Sequence, residues 1–151
     1  MILVLEGRVQ VTLSTSTSLL RRGATAVAAG RVAIGVTALA WPLVPARPWV
    51  GADADNVAAQ VFGRALGARD LALGLGALAA LQAPSSGAGA GSARAWVAAG
   101  ALSDALDVVA SVLSWRELPR FTRWLVAASA GGASLAGLAG VLALDPAAPE
   151  R

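Results

Sequence analysis

Apolar residues gather along this chain into four long runs, parted by short segments rich in Pro, Asp, Gly and Arg. The runs cover about residues 23–43, 63–83, 95–115 and 124–144. Each approaches the ~20 residues that a helix needs to cross the hydrocarbon of a bilayer. The expected fold is all-α, an integral membrane four-helix bundle, with residues 21–145 forming the four-span domain. Residues 1–20 read as an N-terminal polar arm: alternation around Val9, Val11 and Leu13 gives way to a hydroxyl-rich run at 14–18, and Ser18 stands where a helix cap belongs. Residues 146–151 read as a C-terminal tail. Between the spans, the stretch with Asp53, Asp55 and Asn56 is expected to be a polar connection, 84–92 a flexible loop and 116–120 a tight basic turn. The fourth run has no charge and the second none after Arg69 and Asp70, so these two read as the secure spans. Arg31 compromises the first, and Asp104 and Asp107 the third. Arg31 also argues against reading Arg21-Arg22 and the apolar residues after it as a cleaved signal.

Composition supports a membrane class and removes much chemistry. The chain has 151 residues, 56% of them hydrophobic, with a mean hydropathy of +0.65. Its 17 glycines and few aromatic residues favour helices that approach closely. His, Cys and Tyr are absent, and all 12 basic residues are Arg. That excludes imidazole, thiolate and Schiff-base chemistry, and makes haem, iron–sulfur and structural zinc sites untenable. The expectation is a protein that is not an enzyme and carries no cofactor and no metal. No nucleic-acid motif is present, and Gly74-Leu75-Gly76 lacks the third glycine and the strand of a nucleotide fingerprint.

The charges inside the runs are the informative feature. In the third run Gly100, Asp104, Asp107, Ser111 and Ser114 recur at helical spacing, forming one polar stripe that must face inward. An Asp at mid-helix costs roughly 2.5–3.5 kcal/mol on insertion scales, so two cost about 5–7, and the run's Val and Leu residues return only about 2–4. This helix needs partners. Matching depth across antiparallel spans puts Arg31 within one residue of Asp104, about 1.5 Å of rise, and Arg69 within two residues of Asp107, about 3 Å. Arg31 and Arg69 then serve Asp70, Asp104 and Asp107, which leaves one carboxyl without a basic partner. The expectation is that one of the three, Asp107 or Asp104 before Asp70, carries a proton at neutral pH.

Small-residue stripes are read as packing surfaces: Gly67 and Gly74 on the second span, Gly100 on the third, Gly132 and Gly140 on the fourth. Arginine counts at the span ends lean toward the loop between the first two spans and the one between the last two lying in the cytoplasm, with both termini outside. Two segments, 67–76 (GARDLALGLG) and 99–107 (AGALSDALD), resemble a family of small uncharacterised four-span membrane proteins of high-GC actinobacteria. The resemblance covers the first three spans and implies a membrane bundle without implying a reaction. Similarity to DoxX-like four-helix membrane proteins rests on architecture alone. The expected function is a structural or accessory subunit in the cell membrane. Its partners are the lipid bilayer and either a second copy or another membrane protein, with no nucleic acid. The alternative is a proton-coupled small-solute transporter or channel using Asp104 and Asp107.

Overall fold

The computed structural model describes residues 2–83 and 88–144, with side chains described over 18–83, 92–142 and at 144. Helices hold nearly all of the described residues, with no strand among them. The elements are α1 (Ile2–Ala40), α2 (Leu43–Val50), a 3-10 turn (Gly51–Asp55), α3 (Val57–Gln82), α4 (Ala88–Leu113) and α5 (Arg120–Ala143). Three helical segments are long and apolar enough to cross a membrane: Ser18–Ala40, Ser92–Leu113 and Arg120–Leu142. At 22 or 23 residues each, they are about 33–35 Å long.

α3, read from hydropathy as a secure span, does not join these three on its own apolarity. It is 26 residues long, but Arg69 and Asp70 sit at its middle, and the uncharged stretch at 71–81 is too short to cross hydrocarbon alone. Single Arg31 weakens α1 less than the adjacent charges weaken α3.

Local chemistry sets the helix ends. α1 stops at Trp41-Pro42, where Trp41 N–H donates to Thr37 O and Pro42 has no N–H to continue the ladder. Asn56 caps α3: its side chain accepts from Ala59 N–H at 2.8 Å and donates to Asp53 O. Gly51 ends α2 at φ +68, a conformation that favours glycine, and a Cβ there would lie 3.1 Å from Pro119 Cγ. α5 starts after Pro119, and Arg123 secures the turn before it by donating to Leu118 O and Arg116 O. Arg123 also lies over Trp115, which meets Trp124 edge to face at 5.4 Å.

Several boundaries differ from the sequence reading. α1 begins at Ile2, so Ser18 lies within a helix instead of capping one. Ser and Thr tolerate this because their hydroxyls can bond back to the preceding turn, as Thr25 does to Arg21 O and Thr37 to Ala33 O. The connection after the first span holds α2 and the 3-10 turn. α4 begins at Ala88, so residues 88–92 are helical where a loop was expected; 84–87 and the tail at 146–151 lie outside the described residues.

The four long helices pack in the cyclic order α1, α3, α4, α5, with α1–α3 and α4–α5 the most extensive contacts. Ala24, Ala80, Leu81, Ala93 and Val97 form a core at the end nearest the start of α4, with Val141 and Leu144 packed against it. Elsewhere the usual distribution is inverted. Buried positions include Arg31, Ser103, Asp104, Ser111 and Thr122, whereas Leu113 is 81% exposed and Phe121 80%.

Glycines bring α1 and α3 into backbone contact. A Cβ on Gly35 would fall 2.6 Å from Leu71 N, and one on Gly74 would fall 2.7 Å from Ala28 O. Gly67 is equally tight, 2.7 Å from Ala38 Cβ. Gly140 makes looser contact with Val97 and Ala24. Gly132 was expected to pack but meets nothing within 4 Å; Gly137, one turn and a half along α5, is the residue that abuts Ala101. Because Gly132 is an exposed helix interior with open space around it, Gly132→Ala should raise stability by about 0.5–1 kcal/mol. Detergent unfolding followed by circular dichroism checks this, and a loss above 1 kcal/mol would refute it.

Candidate functional site

The polar stripe of α4 faces the middle of the helix assembly, where it meets one arginine from α1 and an Arg-Asp dipeptide from α3. Successive helical residues point about 100° apart, so Arg69 and Asp70 reach different neighbours from one turn of α3. Arg31, 8% exposed, donates from Nη1 to Asp70 Oδ1 at 2.9 Å and from Nη2 to Gly100 O at 2.6 Å. The same Nη2 lies 2.5 Å from Asp104 Oδ2. Arg69 grips Asp107 with both ends of its fork, Nη1 to Oδ1 at 3.0 Å and Nη2 to Oδ2 at 2.8 Å. Its Nη2 also reaches Asp70 Oδ1 at 3.2 Å.

Both pairs expected from depth matching, Arg31 with Asp104 and Arg69 with Asp107, are thus in contact. The expectation of a carboxyl without a basic partner is corrected: Asp70 Oδ1 lies between the two guanidinium groups and is shared by them. Five side chains from three helices form one connected network. Its formal charge with every group ionised is still +2 −3 = −1.

The network is anchored to the backbone as well. Gly100 serves it directly, since a Cβ there would come 3.2 Å from Arg31 Nε. Its expected packing role is therefore to make room for a guanidinium and offer it a carbonyl. Ser111 donates to Asp107 O at 2.7 Å. Two buried oxygens, Asp104 Oδ2 and Ser103 Oγ, make no hydrogen bond; Asp104 Oδ2 has an ionic contact with Arg31 Nη2.

Clefts surround the network on the α2 side. One of about 270 Å³ has Arg31, Asp70, Asp104 and Asp107 on its floor and residues of α5 as its wall. A second, about 370 Å³, is lined by Asp53, Asn56, Ser111, Ser114 and Glu117. A third, about 210 Å³ and more apolar, lies between α2 and the α1–α3 groove. Trp49 borders all three. Among the described residues, no group of three or more His, Cys, Asp or Glu side chains is placed to hold a metal ion.

Sequence reasoning missed Trp49, Gly35 and Gly137. A signal for Gly35 existed, because Ala24, Ala28, Gly35 and Ala38 are small residues at helical spacing that flank Arg31 on α1. Trp49 carried no such signal, since nothing in its neighbours Pro48 and Val50 points to a cleft.

No family model, curated protein or solved structure matches the chain.

Proposed function

We propose that this chain is a four-span integral membrane protein of the cell membrane that serves as a structural or accessory subunit, its α1, α3, α4 and α5 forming a bundle tied by the Arg–Asp network. The observation that carries this reading is that the network closes on itself. Every carboxylate touches a guanidinium, and both guanidinium groups are shared between helices. Such an arrangement suits a medium that cannot solvate charge.

The outward Leu, Val, Phe and Trp side chains suit lipid or a partner helix, and the buried Ala, Gly and ionic groups suit helix contact. α3 at about 39 Å is long enough to cross, and its two mid-helix charges are met by α1 and α4. The likeness of 67–76 and 99–107 to the small actinobacterial four-span proteins fits the same picture. Termini outside is the orientation favoured by the arginines near α2 and near the α4–α5 turn. The protein should stay in the membrane pellet after alkaline carbonate extraction; its release into the aqueous fraction would overturn the reading.

One observation favours a second reading, a proton-coupled transporter or channel for a small solute: the cleft of about 270 Å³ reaches three of the acids. Proteoliposomes separate the two. Proton or solute flux abolished by Asp107→Asn supports transport. Absence of flux with co-purification of a membrane partner supports the subunit.

A further inference from the structure

The two ends of the molecule treat the charged network differently. Toward the start of α4, the polar stripe ends at Gly100, whose carbonyl Arg31 occupies. Beyond it, Ala93 and Val97 pack with Ala24, Ala80 and Leu81 in the apolar core. The space left beside the network in that direction is about 20 Å³, enough for roughly one water, with an almost wholly apolar lining.

Toward α2 the same stripe continues. Asp104 and Asp107 floor the inner cleft, and one turn further Ser111 and Ser114 line the outer one together with Asp53 and Glu117. Trp49 is the residue that both clefts share. It is half-buried and stands on a helix of eight residues that has no buried residue of its own, contains Pro48 and ends at Gly51 with positive φ. An apolar ring therefore separates two polar-floored spaces, and it sits on the least embedded helix of the fold.

We propose that the buried carboxylates communicate with water on one side of the bilayer only, the side of α2, through a vestibule that Trp49 closes, and that water and protons are what pass. This rests on the membrane-spanning reading above. The charged groups that line the inner cleft are Arg31 from α1, Asp70 from α3, and Asp104 and Asp107 from α4, with Arg69 bonded to Asp70 and Asp107 beside it; Asp53 and Glu117 line the outer one. α5 contributes Val126, Ser129, Ala130 and Ala133, none charged. The network's formal charge of −1 makes it a place where an entering proton is held. Trp49 limits how fast water reaches it. Between α1 and α5 the inner cleft is rimmed by Val27, Ile34 and Ala130, which acyl chains cover without supplying water.

The absence of cysteine allows a direct test in the full-length chain. Single cysteines are introduced as Ala130→Cys in the inner cleft, Ala80→Cys in the apolar core, and Arg116→Cys and Arg22→Cys as exposed markers of the two sides. Each is reconstituted in liposomes and exposed to a membrane-impermeant cationic methanethiosulfonate, which reacts with a hydrated thiolate. Ala130→Cys should react slowly and only from the Arg116 side, and Trp49→Ala should raise that rate at least tenfold. Trp49→Phe should give an intermediate rate, and Ala80→Cys should stay unreactive. Reaction of Ala130→Cys from the Arg22 side, or no reaction in either background, overturns the proposal. So does a rate unchanged by Trp49→Ala, or by Trp49→Phe if the alanine variant does not fold. If instead Arg22→Cys and Arg116→Cys react from the same side, the membrane-spanning reading itself has failed.

Discussion

Arg31→Leu is expected to abolish assembly. The substitution strips Asp70 of one partner and Asp104 of its only guanidinium contact among the described residues, and it frees the Gly100 carbonyl. Removing one member of a buried ion pair costs about 3–5 kcal/mol because the survivor stays charged and unsolvated. A whole small domain is stable by only about 5–15 kcal/mol. Yield of monodisperse protein in mild detergent should therefore fall by more than tenfold. Arg31→Lys should recover little, since an ammonium group cannot span Asp70, Gly100 O and Asp104 as the planar fork does. The exchange Arg31→Asp with Asp104→Arg should restore part of the yield, limited because the new carboxylate on α1 faces Asp70. A leucine variant within 1 kcal/mol of the parent would show that the network is dispensable, and failure of the exchange to restore anything would count against the Arg31–Asp104 contact.

Gly35→Ala should be nearly as damaging, although in most helices the same exchange is favourable. The added carbon would lie 2.6 Å from Leu71 N and 2.7 Å from Gly67 O, both backbone atoms that cannot swing away. α1 and α3 must separate, and overpacking of this kind typically costs about 1–3 kcal/mol. Separation would also lengthen the reach from Arg31 to Asp70, so the loss should fall at the upper end of that range. Gly76→Ala is the informative contrast: its close neighbour is the Trp96 ring, a side chain that can shift. A Gly35→Ala protein that unfolds in detergent at the same point as the parent would mean that these helices do not cross as closely as described.

Much of the helical plan is written in hydropathy, and the ionic partners are written in depth. Arg31–Asp104 and Arg69–Asp107 follow from a fixed rise per residue, which tolerates small errors in span boundaries. Depth carries no azimuth, however. Nothing in it shows that Asp70 points between two arginines, and so its sharing was missed.

The same blindness to azimuth misplaced the α5 packing face. Gly132, Ala136 and Gly140 form a small-residue stripe, but Gly137 and Ser134 are what meet α4, where Gly137 touches Ala101 and Ser134 donates to Ala101 O. α2 was hidden by Pro45 and Pro48, which read as loop punctuation; Pro45 stands in the first turn, where proline is tolerated, and Pro48 lies inside the helix. Asn56 did carry a cap signal, standing just before an apolar run. α3 looked secure because the run chosen for it, 63–83, has Arg69 and Asp70 in its first half and no charge after them, whereas the helix begins at Val57 and carries them at its middle.

The division of charge among the helices has a bearing on synthesis. Within the network, α1 and α3 together carry Arg31, Arg69 and Asp70, a balance of +1, whereas α4 brings −2 and α5 nothing. The N-terminal pair can compensate Asp70 internally as soon as it leaves the ribosome. Among the described ion pairs, Asp104 and Asp107 find their cations only on the N-terminal pair, and the C-terminal pair depends on finding it already in place. Chain order from N to C delivers the arginines before the acids that need them. A circular permutant that begins at α4 would reverse this sequence of events, and its nascent acids would wait unaccompanied for residues not yet made.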